Sequence, residues 1–585
     1  MNTKKPIGYT SLEKRKATGS HYTPKTLSDF VAREIVQAWD AERQKDGQRR
    51  DTPVRILEPA VGDGQLLLSI LDTLRQAGFS NLQAVGFDTD FQALEYASAR
   101  IRESFPTVDL DLREEDFLEF AMTYGAGRLF SYGFEHFDIA IANPPYVRTQ
   151  VMGAQRAQQI ARQFGLAGRV DLYYAFISGI GLMLTPGSIA GIIVSNRFMT
   201  TKSGRSVRRS ILNTFNVLHV WDLGDTRLFE AAVLPAVLLV RKKGKSQTPD
   251  RDKRPAFTSI YTTDADQLPT VCADVVTALQ EEGLIQLPNG EQYMVQQGVL
   301  KHSDKPEGVW RLATAQSERW LYTVAAHTYC TFSDIGEVKV GIKTTADNVF
   351  IKSDWDALPS DEQPEVLRPL VTHHIARRFK AKVPAEPKRV LYTHQIQHGQ
   401  RVAIDLQAFP RTARYLNRHR SQLAGRKYVR EAGREWFEIW VPHDPDAWSQ
   451  PKVVFRDIAE KPTFWMDLSG SVVNGDCYWI TCDAYTGEDP QPTDMLWLIL
   501  GVGNSSFIET FYDYKFRNKL YAGRRRFMTQ YVKQFPLPDP SSATAREMIR
   551  LAKAIYRLAS SEKARELEDE LDRLVWQAFG FTKKT

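Results

Sequence analysis

Two hydrophobic rhythms run along the chain, and one replaces the other near residue 245. Before that point, short apolar runs alternate with stretches of helical spacing. Val54–Glu58 reads as a strand, the turn Val61–Gly64 follows, and Gln65–Ala77 places Leu66, Leu67, Ile70, Leu71 and Leu74 in helical phase. Leu82–Phe87 predicts a second strand and Phe91–Ser104 a second helix. Phe137–Ala142 predicts a strand ending at Asn143, and Asp171–Leu184 a helix stopped by Thr185-Pro186-Gly187. Ser188–Ser195, Val217–Leu223 and Val233–Arg241 add further strands. Strands separated by helices imply an α/β fold, Rossmann-like, with a doubly wound and mostly parallel sheet.

Beyond Lys245 the rhythm is lost. Ser246–Pro255 is polar and reads as a linker, and the span to about residue 330 has no clear period. From residue 331 to 540 the chain is rich in short strands, turns, aromatics and arginine, which predicts an α+β domain. The tail reads as a charged amphipathic helix with Met548, Leu551, Ile555 and Leu558 in phase. The expected division is therefore a first domain over 1–245, a connecting region over 246–330, a second domain over 331–540 and a helical segment over 541–585.

The 585 residues exceed what one hydrophobic core usually serves, in line with several domains. A net charge of +6 is too small to name a nucleic-acid partner, so local clusters carry more weight. Cys272, Cys330, Cys477 and Cys482 form no CxxC pair, so neither a zinc site nor a disulfide framework is expected. The N-terminus lacks the apolar segment of a signal peptide, and the apolar stretches Tyr173–Leu184, Val233–Val240 and Met495–Val502 are short for a bilayer span. A cytoplasmic protein without membrane contact is expected.

Ile56–Gly64 lies where the first strand meets the first helix. Gly62 and Gly64 let backbone approach a ligand there, although such a pair also fits a plain tight turn. Asp88 ends the second strand, where an acid can accept both hydroxyls of a ribose or sit solvated. Asp116-Phe117 could accept from an adenine amine and cover its face, or be a helix-capping acid beside a core ring. With Glu58, these acids suit a nucleoside that carries positive charge and no phosphate, such as S-adenosylmethionine.

Asn143-Pro144-Pro145-Tyr146 is the sharpest motif. A strand ending in a rigid double-proline turn aims two acceptors one way, the Asn143 side-chain oxygen and the Pro144 carbonyl. Together they can hold both hydrogens of an exocyclic amine and present its lone pair to a methyl donor. Tyr146 can stack on the base. Positioning and preorganised dipoles would supply the rate, with no shifted general base.

These residues, in this order, resemble the gamma class of DNA adenine-N6 methyltransferases, the TaqI-like type. Gly19-Ser20-His21-Tyr22-Thr23-Pro24 is similar to the family's N-terminal donor-binding motif, Asp171–Phe176 to a later one, and Leu228-Phe229-Glu230 falls at the base-stacking motif. The resemblance implies donor contacts from Thr23, Glu58, Ala60, Asp88, Asp116, Phe117 and Phe176, and base contacts or turn geometry from Asn143, Pro144, Pro145, Tyr146 and Phe229. It implies a restriction-modification role, double-stranded DNA as substrate, a base flipped from the stack, a separate endonuclease, and a chain acting as a monomer. Ala231-Ala232 stands where the family often has a lysine. Ile335–Thr344, Lys452–Phe464 and Arg524–Leu537 resemble the TaqI-type recognition domain. A fused nuclease is not expected, because the motifs begin by Gly19.

Basic runs at Arg205/Arg208/Arg209, Arg377–Lys380, Arg411–Arg434 and Lys515–Arg526 are candidate DNA-tracking faces or solvated helix faces. Enzymes that methylate glutamine amides or RNA share the amine-holding motif, and a non-catalytic specificity subunit would keep the fold. The large second domain and the intact motif argue against these.

Overall fold

The computed structural model describes residues 22–45, 52–125, 136–146, 154–167, 171–229, 234–244, 254–263, 268–302, 308–487, 491–516, 524–559 and 561–582. Gly19, Ser20, His21, Glu230, Ala231, Ala232 and most of the expected 246–255 linker lie outside the described residues. The chain divides into two compact units, Met1–Ala315 and Gln316–Thr585.

Among the described residues, the first element of this unit is a helix that the strand pattern did not disclose, α1 (Lys25–Lys45). Its buried side chains Leu27, Val31, Ile35 and Trp39 recur one turn apart. Then come β1 (Val54–Glu58), α2 (Gln65–Gln76), β2 (Leu82–Asp88), α3 (Phe91–Ser104), β3 (Asp109–Glu114) and α4 (Phe117–Gly125). They are followed by β4 (Phe137–Ala142), α5 (Ala154–Gln163), α6 (Leu172–Met183), β5 (Leu184–Ser195), α7 (Arg205–Thr214), β6 (Phe215–Asp222) and β7 (Pro235–Lys242). The strands order as β3-β2-β1-β4-β5-β7-β6, parallel except that β7 runs antiparallel to both neighbours. Ile56, Ile139, Ile141 and Ile189 pack with α1 and α2 in one core, while Leu57, Ala140, Ala142 and Ile192 pack with α6 and α7 in another. Alternate residues of the same strands thus feed opposite faces, which is why the strands are apolar throughout. At Gly191 an added Cβ would lie 2.5 Å from Ile35, so glycine lets α1 rest directly on β5.

The span expected as a connector instead extends this sheet. β8 (Ala256–Thr262), β9 (Thr270–Val271), β10 (Gly283–Gln286), β11 (Gln292–His302) and β12 (Trp310–Ala313) follow, with β8 pairing parallel to β6. In β11 only Tyr293, Val295 and Leu300 are buried and three residues are glutamines, so its strand period is blurred in the sequence.

The second unit is mixed α/β. One antiparallel sheet orders Lys339–Val340, Cys477–Ile480, Lys452–Arg456 and Phe464–Asp467. Helices Pro492–Gly503, Ser506–Lys515, Ala543–Leu558 and Glu562–Ala578 share an aromatic-rich core with it. The single helix expected at the tail is two helices, divided at Ala559 and recapped when Ser561 accepts from the Ala564 amide. Met548, Leu551 and Ile555 are buried as their phase requires, but Leu558, at the break, is 39% exposed. No described helix is long and apolar enough to cross a membrane.

Candidate active site

Parallel register sets Glu58 opposite Gly86, and Asp88 opposite Glu114, while Ala140 of β4 lies beside Leu57. The residues after β1, β2, β3 and β4 therefore emerge at one edge of the sheet, where open α/β sheets bind ligands. Gly62 (φ 53°) and Gly64 (φ 77°) take left-handed conformations between β1 and α2. A Cβ at Gly64 would also lie 2.9 Å from that of Ala97, so glycine closes α2 onto α3.

Asp88 organises this turn. Its Oδ2 accepts from the Gly62 amide at 2.8 Å and its Oδ1 from the Asp90 amide at 2.9 Å. Glu58 is 1% exposed and accepts from the Leu67 amide at 3.2 Å. Burial, then the neighbouring Asp63 and Asp88 charges, push the Glu58 carboxyl well above the usual carboxylate range. Burial also raises Asp63 and Asp88, against the amides that hydrogen-bond them. The described cation nearest this cluster is Arg100, 3.5 Å from Asp63. Crowded acids with one peripheral cation fit a positively charged ligand and disfavour a phosphate.

Asn143 follows β4 directly. Its Nδ2 donates to Thr23 Oγ1 at 3.0 Å, and Tyr146 donates its hydroxyl to Asn143 Oδ1 at 3.1 Å. Thr23, expected as a donor contact, is thus also joined to Asn143 across 120 residues, a link that spacing cannot disclose. Pro144 is buried, and Pro145 and Tyr146 are half-buried. The Tyr146 ring lies 6.0 Å from Tyr173, edge to face, and burial raises its hydroxyl pKa far above that of a free phenol.

The other expected residues divide. Asp116 accepts from the Leu118 amide at 2.8 Å, capping α4, and from Arg156 at 2.9 Å. Phe117 is 1% exposed and stacks on Phe176 with centroids 5.5 Å apart, so both rings belong to the core between α4 and α6. Ala60 is half-buried in the turn after β1. Phe229 is buried in the α1 core with Trp221, whereas Tyr146 packs against the opposite core.

The approach to Phe229 has supports that sequence reasoning missed. Asp222 accepts from Asn196 at 2.9 Å and from the Tyr261 hydroxyl at 2.7 Å. Asp225 accepts from the Thr262 amide at 2.9 Å and from its hydroxyl at 2.5 Å. Gly224 (φ 53°) and Arg227 (φ 54°) are both left-handed, and a non-glycine residue stays there only when its surroundings impose it. Tyr261 and Thr262 belong to β8. The one signal in the sequence was the polar residue at or just after a strand end, Asn196 and Asp222.

Two basic runs are corrected in part. Arg208 is 2% exposed and donates to the carbonyls of Phe198 and, at 3.0 Å, Thr201, so it braces the start of α7. Arg426 is buried and donates to the carbonyls of Leu423, Thr344 and Trp436. Neither faces a ligand surface.

Residues 71–229 match the Eco57I restriction-modification methylase model, and residues 397–537 match the TaqI-like C-terminal specificity domain. Type II methyltransferase M.BanIII of Aneurinibacillus aneurinilyticus is 37% identical over 580 residues, spanning 97% of this chain and 98% of that protein. The chain belongs to the Type II restriction-modification methyltransferases. It methylates DNA within a restriction-modification system. Within this family, Type II methyltransferase M.PaeR7I of Pseudomonas aeruginosa is 25% identical, covering 93% of this chain and 92% of that one. In fold the methyltransferase is similar to the protein of the cryoEM DrdV–DNA complex, with TM-score 0.52 and 10% identity over 94% of this chain and 60% of that chain.

Proposed function

We propose that this methyltransferase transfers a methyl group from S-adenosylmethionine to N6 of an adenine extruded from duplex DNA. The observation that carries the reading is the Asn143 carboxamide, held at the carboxyl end of β4 by Thr23 and Tyr146. Its oxygen already accepts one hydrogen bond in that place, so an incoming amine exchanges with the Tyr146 hydroxyl instead of desolvating a bare acceptor. The Pro144 carbonyl takes the second amine hydrogen, and its ring offers no competing amide donor. Both hydrogens held, the nitrogen lone pair leaves conjugation and points toward the donor. Tyr146, released from Asn143, is free to cover one face of the base, and Phe229 the other.

The donor fits the crowded acids after β1 and β2. Glu58 would meet its amino group, Asp88 its ribose, and Thr23, Ala60 and Asp116 the remaining surface. S-adenosylmethionine supplies an electrophilic methyl on a sulfonium. The acids balance that positive charge, and burial keeps water from the transfer path. Residues 331–540 read the recognition sequence in this account, as a monomer in the cytoplasm alongside a separate endonuclease of the same specificity.

Asn143→Ala tests the reading. Tritiated methyl transfer to plasmid DNA is expected to fall by at least about a thousandfold, with S-adenosylmethionine affinity within about threefold of wild type. Retained turnover would mean that Asn143 does not hold the amine.

A further inference from the structure

A cavity of about 440 Å³ lies within the second unit, between residues 376–380, the end of strand Lys452–Arg456 and the two C-terminal helices. Arg377, Arg378, Lys380, Arg456 and Arg565 line it against one carboxylate, Glu568. That carboxylate is engaged by Arg378 at 3.2 Å, and Arg378 also donates to the Asn504 carbonyl at 2.7 Å. Among the described residues, Lys380, Arg456 and Arg565 form no ion pair, and the buried Arg456 Nε has no hydrogen-bond partner. The Lys380 ammonium lies 5.0 Å over the Tyr556 ring, which positions the charge without cancelling it.

Backbone geometry places these charges. Phe379 has φ 65°, its ring is buried, and its amide and carbonyl bond to the Phe464 carbonyl and the Met466 amide. This enforced left-handed residue turns the chain so that Arg378 and Lys380 both line the cavity. Some other arginines of the unit are ion-paired. Arg411 pairs with Glu365, Arg414 with Asp361, Arg418 with Glu362, Arg525 with Asp513 and Arg526 with Asp457. Uncompensated cations gathered in a concave site focus positive potential and hold an anion. Guanidinium groups match phosphate oxygens in shape and charge.

We propose that this cavity binds phosphates of the DNA backbone independently of base sequence. The inference rests on DNA being the substrate, but not on adenine being the target base. Its test reads affinity, so failure of the Asn143 experiment leaves it standing.

Lys380→Gln, Arg565→Gln and a triple variant adding Arg456→Gln would be titrated against a 30-bp duplex of arbitrary sequence and a plasmid fragment that the wild type methylates. Salt would be varied from about 50 to 200 mM. The triple variant is expected to bind both DNAs on the order of tenfold more weakly, and to flatten log K against log[salt] by about 0.9 for each phosphate no longer neutralised. The exposed Lys380 and Arg565 singles give the same trend, smaller, and keep the test readable if the triple variant fails to fold. Unchanged slopes overturn the proposal. Weakening confined to the methylated fragment overturns it too, because that signals base readout. Stabilisation of the wild type by millimolar inorganic phosphate, with DNA affinity unchanged in the variants, assigns the cavity to a free anion and overturns the DNA source.

Discussion

The edge of the first unit's sheet and the cavity of the second unit concentrate charge of opposite sign, and each leaves part of it uncompensated. At the sheet edge, Glu58, Asp63 and Asp88 crowd together with one peripheral cation, and burial lifts all three carboxyls. In the cavity, five cations face one carboxylate that is already paired. Both regions stand among charges that are matched, such as the buried Lys452–Asp467 pair at 2.8 Å. Unmatched charge is costly to keep. Retaining it at two places, with opposite signs, suits one protein that must take a cationic donor and a polyanionic substrate.

The comparison breaks most sharply if the acid crowding is relieved. Glu58→Gln keeps an acceptor for the Leu67 amide and removes one buried charge. Donor affinity, read by calorimetry, is expected to fall on the order of thirtyfold, while the melting temperature without donor rises. The pH dependence follows from the same shifts. Folded Glu58, Asp63 and Asp88 hold protons more tightly than the unfolded chain does, so the folded state binds more protons above the ordinary carboxylate range. Their contribution to stability is therefore present at low pH and declines as pH rises through the raised values. Donor-free melting temperature should drop as pH rises from the ordinary carboxylate range through these raised values, and Glu58→Gln should flatten the drop. A melting curve that shifts equally in both proteins contradicts the crowding.

An intermediate effect separates spare acids from structural ones. Asp222 is fully engaged by Asn196 and Tyr261, so Asp222→Asn loosens the approach to Phe229 without touching donor charge. A fall in kcat/KM for DNA of about tenfold is expected, with donor affinity unchanged. The smallest effect belongs to a matched cation. Arg418 is bidentate to Glu362 on the surface, so Arg418→Gln should change DNA affinity by less than about twofold. A loss as large as that of the cavity variants would erase the distinction between paired and unpaired cations.

The sequence disclosed these two regions unequally. β1, β2, β4 and β5 were legible because a parallel sheet covered on both faces needs apolar runs. Asn143 stood out because a proline pair closes such a run. β3 (Asp109–Glu114) was not, since an edge strand rich in acids shows little burial. α1 was legible in principle, through Leu27, Val31, Ile35 and Trp39, but preceded the first strand signal. The span 256–313 hid its strands behind glutamines and polar alternation. Which charges are spare was beyond reach, because their partners are remote: Arg418 finds Glu362 across 56 residues. A basic run tells the sign of a surface, whereas pairing decides whether any of it is available.

The most direct test of the central claim is the identity of the methylated nucleoside. Plasmid DNA treated with the enzyme and deuterated-methyl S-adenosylmethionine would be digested to nucleosides and analysed by mass spectrometry. The account predicts the label in N6-methyldeoxyadenosine alone. Label in N4-methyldeoxycytidine would move the Asn143–Pro144 grip to another base, and label on a ring carbon would contradict an amine-holding site altogether.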